Sequence, residues 1–192
     1  MRTVLLAFLA LVALTGCGGS NSAKPPTTTA AATSAGPGAL QAEAGAAAAG
    51  DIPDNQVFVV FANRSAGYSM KYPEGWAQQG GGARVTIRDK NTIVRIVVGP
   101  PPASIAADVA ALHGATVVEA PAQVTVGGAS ATKVVYATES APNPVTGKRV
   151  RLVVDRYYLR HGAREATVDL GSPQGVDNVD AYRLMIQSFR WR

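Results

Sequence analysis

The chain has 192 residues, a formal charge of +5 and a single cysteine. Its first fifty residues differ so much in composition from the rest that about 140 are left to fold, enough for one domain. One cysteine excludes an internal disulfide and thiolate-built metal clusters, and the modest charge suits an anionic lipid, wall or protein surface while falling short of the dense basic face that nucleic acid requires.

Met1 and Arg2 give a short positive start, residues 4–14 carry only apolar side chains, and Thr15-Gly16 supply small residues before Cys17. This is the pattern of an export signal. As a helix of about 1.5 Å rise per residue the apolar run spans about 16 Å, half of a bilayer core, and so cannot cross it. Leu14-Thr15-Gly16-Cys17 resembles the lipobox of bacterial lipoproteins. That resemblance implies that residues 1–16 are a lipoprotein signal peptide and that the Cys17 thiol receives a diacylglycerol, with cleavage making it the new amino terminus. Acyl chains of the palmitate kind contribute about 0.8 kcal/mol per buried methylene, and two or three together anchor a protein stably.

Residues 17–55 are expected to form a disordered tether. Gly, Ser, Thr, Pro and Ala make up nearly all of it, and large apolar residues are almost missing. Such a coil spans about 30–35 Å. Residues 39–49 have the alanine content of a helix, but little on it would pack.

From Val57 the pattern changes to short apolar and alternating runs divided by Gly and Pro, which reads as strands and turns. Residues 57–61 form the first strand. Residues 68–72 alternate, with Tyr68, Met70 and Tyr72 on one face and Ser69 and Lys71 on the other; Pro73-Glu74-Gly75 turns the chain before the anchor Trp76. Gly80-Gly81-Gly82 reads as a flexible loop. Residues 84–88 and 92–98 pair through the polar turn 89–91. Pro100-Pro101-Pro102 ends the second strand, and Ser104 caps a short helix over 105–113 with Ile105, Val109 and Leu112 at helical spacing, ended by Gly114. Strands follow over 116–119, 122–126 and 131–138, with Gly127-Gly128 as a hairpin turn. A longer pair, 149–160 and 164–170, flanks His161-Gly162, with Val150, Leu152 and Val154 on the face opposite Arg149 and Arg151. Residues 177–189 close the chain as an amphipathic helix striped by Val179, Tyr182, Ile186 and Phe189. Helices on one antiparallel sheet make an α+β sandwich, which occupies residues 56–192.

The string Gly67-Tyr68-Ser69-Met70-Lys71-Tyr72-Pro73-Glu74-Gly75-Trp76 and the closing Ser188-Phe189 resemble the PsbP-like fold, which is shared by the photosystem extrinsic protein, a Ran-binding nuclear import factor and the LpqN/LpqT class of actinobacterial lipoproteins. The resemblance implies an α/β/α sandwich around an antiparallel sheet, used as a binding or adaptor module without catalytic residues.

Residue chemistry points the same way. His113, at the expected helix end, reads as a capping cation, and His161 as a surface turn residue. Neither stands at metal-ligand spacing, and no Gly-x-Ser-x-Gly motif is present. No catalytic residue, metal or cofactor is therefore assigned. Arg149, Arg151, Arg156 and Arg160, with Lys148 and Arg164, form the densest basic group; they read as solvated edge charges or as contacts to an anionic partner. The expectation is a non-enzymatic module outside the cytoplasm, held to the cell membrane through Cys17. It would recognise a protein or envelope component; the alternative is a carrier or sensor of a small apolar ligand or lipid.

Overall fold

The computed structural model describes residues 37–143 and 145–192, so the expected signal peptide, Cys17 and the first part of the expected tether lie outside the described residues. No described helix is long and apolar enough to cross a membrane.

Pro37–Ala49 forms helix α1, where a disordered tether was expected. Alanine has the highest helix propensity, which suffices locally even though most of the described α1 side chains are exposed. The expected domain start at residue 56 also comes too late. The Gly50 carbonyl accepts from Thr92 Oγ1 at 2.7 Å and from Asn178 Nδ2 at 3.1 Å. Ile52 N donates to Asn178 Oδ1 at 2.8 Å, and the Ile52 side chain joins the core. Gly50 has φ +112°, and a Cβ there would lie 2.7 Å from Thr92 Oγ1, so only glycine fits this close approach.

The strands are β1 (Phe58–Asn63), β2 (Tyr68–Pro73), β3 (Ala77–Gly81), β4 (Arg84–Asp89), β5 (Thr92–Gly99), β6 (Thr116–Val126), β7 (Ala129–Glu139), β8 (Arg151–His161), β9 (Arg164–Pro173) and β10 (Arg190–Trp191). Helix α2 (Ile105–Ala110) lies between β5 and β6, and α3 (Val179–Gln187) between β9 and β10. All described pairings are antiparallel, which confirms an α+β fold, but they build two sheets where one was expected. One sheet runs β1-β2-β10, the other β3-β4-β5-β9-β8-β7-β6.

Several boundaries move for identifiable reasons. β3 has no apolar alternation and is exposed throughout; it forms because β4 offers an unpaired edge, and it takes in Gly80 and Gly81, read above as loop. The two short strands expected over 116–126 are one, β6, with register shifts on either side of Glu119. This irregular edge tolerates Pro121, which has no N–H to donate. β10 is a two-residue strand on β2 that sequence patterning is too short to reveal.

The main core fills the space between the two sheets and α3. Tyr68, Ile87, Val94, Leu170 and Met185 are fully buried there. Tyr68 stacks on Phe189 with ring centroids 5.5 Å apart, and Ser188 Oγ accepts from Lys71 N at 2.7 Å, so Ser188-Phe189 pins the end of α3 to β2. Each large side chain buried in this way contributes about 1.5–3 kcal/mol.

Candidate functional site

Strand alternation gives the seven-stranded sheet a second face. On β8, Tyr157 and Leu159 enter the main core, whereas Leu152, Val154 and Tyr158 belong to two smaller clusters on the opposite side. Helix α2 covers part of that side. Ser104 Oγ accepts from Ala107 N at 3.1 Å to cap it, and Val109 packs on Val134 and Tyr158. α2 is only six residues long, and the chain turns away after it; a sheet seven strands wide is not covered by one short helix.

What stays open is a cleft of about 350 Å³. The strand register places Arg88, Ile93, Gly171, Val154 and Tyr136 in one row across β4, β5, β9, β8 and β7. The neighbouring row holds Arg95, Asp169, Arg156 and Val134. Ile93, Tyr136, Leu152 and Val154 form an apolar floor, Leu112 and His113 stand on the side of α2, and Ser140 to Asn143 form the opposite wall. That wall is braced by Ser140 N to Val150 O and Asn143 N to Lys148 O, both 2.8 Å. Gly171 lies in mid-floor. A Cβ there would meet Ile93 Cγ2 at 3.1 Å and Val154 Cγ2 at 3.2 Å, so the missing side chain keeps the floor low.

Beside the floor lies a charged row. Asp169, 2% exposed, accepts from Arg156 Nε at 2.7 Å and from Nη2 at 2.9 Å, a bidentate pair. Arg156 Nη1 donates to Asp108 Oδ2 of α2 at 2.9 Å, and the same oxygen accepts from Tyr158 OH at 2.7 Å. The Arg156 guanidinium also lies 5.3 Å from the Tyr136 ring centroid. Burial by itself would lower the Arg156 pKa, but hydrogen bonding and the charge of Asp169 raise it above the ordinary arginine value. Burial first, then Asp169, pushes the Tyr136 hydroxyl up to about 12. The Arg156 guanidinium and the Tyr136 hydroxyl therefore keep their protons near neutrality, which suits holding α2 on the sheet rather than moving protons. Arg95 differs. Its half-exposed side chain reaches Asp169 Oδ2 only at 3.5 Å and lines the cleft.

The basic residues named from sequence do not gather. Arg149 and Arg151 are exposed near one end of β8, and Arg149 Nη1 donates to Ser140 O at 2.8 Å. Arg160 is exposed at the other end. Arg156, expected as a partner contact, is corrected: at 7% exposure and with two carboxylates on its guanidinium it is interior. His113 lines the cleft in the turn beyond α2, which ends at Ala110 rather than at 113, so it does not cap the last helical turn. His161 stacks on Trp191 at 5.5 Å, and Arg164 lies 5.2 Å from the same indole. Arg160, His161, Arg190 and Trp191 share a shallow pocket of about 220 Å³.

Arg95, Tyr136 and Asp169 were missed as site residues. A usable signal existed for one of them: Asp169, like Arg156, is a charge within a strand with apolar neighbours, and such charges are rarely buried unless paired.

No known protein family matches the chain, and no curated protein matches it. Among solved structures it is similar to a protein from Bacteroides thetaiotaomicron VPI-5482, at 15% identity and a TM-score of 0.46, over 69% of this chain and 48% of that one. It therefore spans about half the length of that protein. It is similar to the cyanobacterial PsbP protein CyanoP from Synechocystis sp. PCC 6803, at 14% identity and a TM-score of 0.44, over 74% and 98% of the two chains. It is also similar to the Ran-binding protein Mog1p from Saccharomyces cerevisiae, at 9% identity and a TM-score of 0.48, over 71% and 96%. Likeness at this level concerns backbone arrangement and assigns nothing to the cleft.

Proposed function

We propose that this chain is a non-enzymatic binding module, held outside the cytoplasm by a lipid on Cys17, that recognises an envelope component or a protein through the cleft beside α2. The observation that carries the reading is the cleft itself, about 350 Å³, whose apolar base of Ile93, Tyr136, Leu152 and Val154 is flanked by the polar and charged side chains of Arg88, Arg95 and His113. A concave site with an apolar base and a few convergent polar groups is the form that ligand sites take. The carboxylates of Asp169 and Asp108 are engaged by Arg156, and among the described residues no three His, Cys, Asp or Glu side chains are grouped to hold a metal ion. That inventory suits recognition better than bond-making chemistry. The anchor rests on the apolar start followed by Leu14-Thr15-Gly16-Cys17.

A second reading, carriage of a small ligand, shares the same site, because the cleft volume lies within the range of about 300–1,000 Å³ for small-molecule pockets. Backbone amide NMR of the full chain, titrated with envelope extract, tests the site. Shifts confined to the residues around Ile93, Tyr136 and Leu152 are expected; shifts only on the α3 side, or none, would refute it. For the anchor, a fatty-acid probe fed to cells should label the parent chain and leave Cys17→Ser unlabelled, and an unlabelled parent would rule out the lipid.

A further inference from the structure

The cleft is polarised along one direction. Its cations stand at the β4 and β5 side, where Arg88 pairs in register with Ile93 and Arg95 follows two residues later. Crossing β9 and β8 to β7, the same surface becomes Gly171, Val154, Leu152 and Tyr136. The acid nearest Arg95 is already satisfied, since both Asp169 oxygens accept at 2.7–2.9 Å from Arg156 and the second receives Arg95 only at 3.5 Å. The planar fork of Arg95, half exposed on the cleft wall, therefore has donors to offer to an incoming carboxylate or phosphate, the two groups its geometry matches best.

We infer that the cleft takes an amphipathic anion, with a carboxylate or phosphate head on Arg95 and Arg88 and an aliphatic chain over Ile93, Val154, Leu152 and Tyr136. This rests on the reading of the cleft as the binding site and adds the chemistry of its ligand. Apolar contact along the cleft adds to the affinity, and the arginine pair sets which end enters. Gly171 gives the chain its depth, because any side chain there would rise between Ile93 and Val154.

The test uses the full chain carrying Cys17→Ser, so that no attached acyl group competes, titrated with decanoate, decyl phosphate and decanol and followed by calorimetry and amide NMR. Both anions should bind at least about tenfold tighter than decanol, the value of one charge-assisted pair. Arg95→Gln should remove most of that preference, lowering the affinity for both anions toward that for decanol. Arg88→Gln should do the same more weakly. Arg95 is half exposed, so the variant should fold, and an unchanged amide spectrum away from the cleft checks this. The tighter of the two anions identifies the head group as that of a fatty acid or of a phospholipid. Decanol binding as tightly as decanoate, or an Arg95→Gln variant with unaltered preference, would overturn the inference and leave the cleft reading intact. Failure of all three probes to move the cleft amides would sink both.

Discussion

The two faces of the seven-stranded sheet are made by the same strands and differ in nearly everything else. Toward α3 and the small sheet, alternate residues are apolar and almost fully covered: Val85, Ile87, Val94, Ile96, Val168 and Leu170 are each exposed by 1% or less. Toward α2, the intervening positions hold Arg95, Asp169, Arg156, Glu165 and Tyr158, and a six-residue helix leaves the rest open. One face supplies the stability. The other carries a buried charged row and a cleft, and the contrast is the physical reason to look for binding there.

The contrast can be broken most forcefully at the charged row. Asp169→Ala should destabilise the domain by about 3–5 kcal/mol in urea unfolding, because it leaves Arg156 buried without its partner. The double change Arg156→Met with Asp169→Leu should recover most of that loss, since hydrophobic replacement of a buried pair is often neutral. If Asp169→Ala cost under about 1 kcal/mol, the row would be solvated and the two faces less different than the burial of Asp169 implies. On the covered face, Met185→Ala should cost about 2–5 kcal/mol and leave the affinity of the cleft for decanoate unchanged. A matching loss of affinity would show the faces to be coupled.

Smaller changes sharpen the picture. Ser104→Ala removes the cap of α2 and should cost about 1 kcal/mol, with faster amide exchange confined to α2 and its turn. Protection lost on α3 as well would show that α2 is not an independent cover. The smallest effect is a pH slope at Glu165, which is 8% exposed with no partner for Oε1. Burial pushes its carboxyl above the ordinary range, against Arg160 and with help from Asp108. Folding thus favours the protonated form. That contribution is complete below the ordinary value of 4.5 and is lost as pH rises through the raised value in the folded state. Glu165→Gln should match the parent in acid and exceed it in melting temperature toward neutrality; parallel curves would mean that the carboxyl is not held in its acid form.

Much of the fold is legible locally. The alternation of Tyr68, Ser69, Met70 and Lys71 marks a strand, Asp89-Lys90-Asn91 and Gly127-Gly128 mark the β4–β5 and β6–β7 hairpins, and Ser104 marks a helix start. Each rests on neighbours two to four residues apart. β3 and β10 were not legible, because Gln78, Gln79 and Arg190 carry no pattern of their own and become strands only where β4 and β2 offer a partner. The cleft was hidden for the same reason. Arg95 and Asp169 are 74 residues apart, and the basic group that looked dense along β8 is divided by alternation between two faces and by burial at Arg156.

Taken alone, the amino-acid order determined which residues alternate and where the Asp89-Lys90-Asn91 and Gly127-Gly128 turns and the Ser104 cap stand. Only the tertiary structure decided that two sheets form, that α2 stops short of covering its face, and that Arg95, Asp169 and Arg156 fall into one row beside the base of a cleft. Periodicity and turn chemistry act over a few bonds, whereas coverage of a sheet face depends on long-range register, and no single segment carries that information.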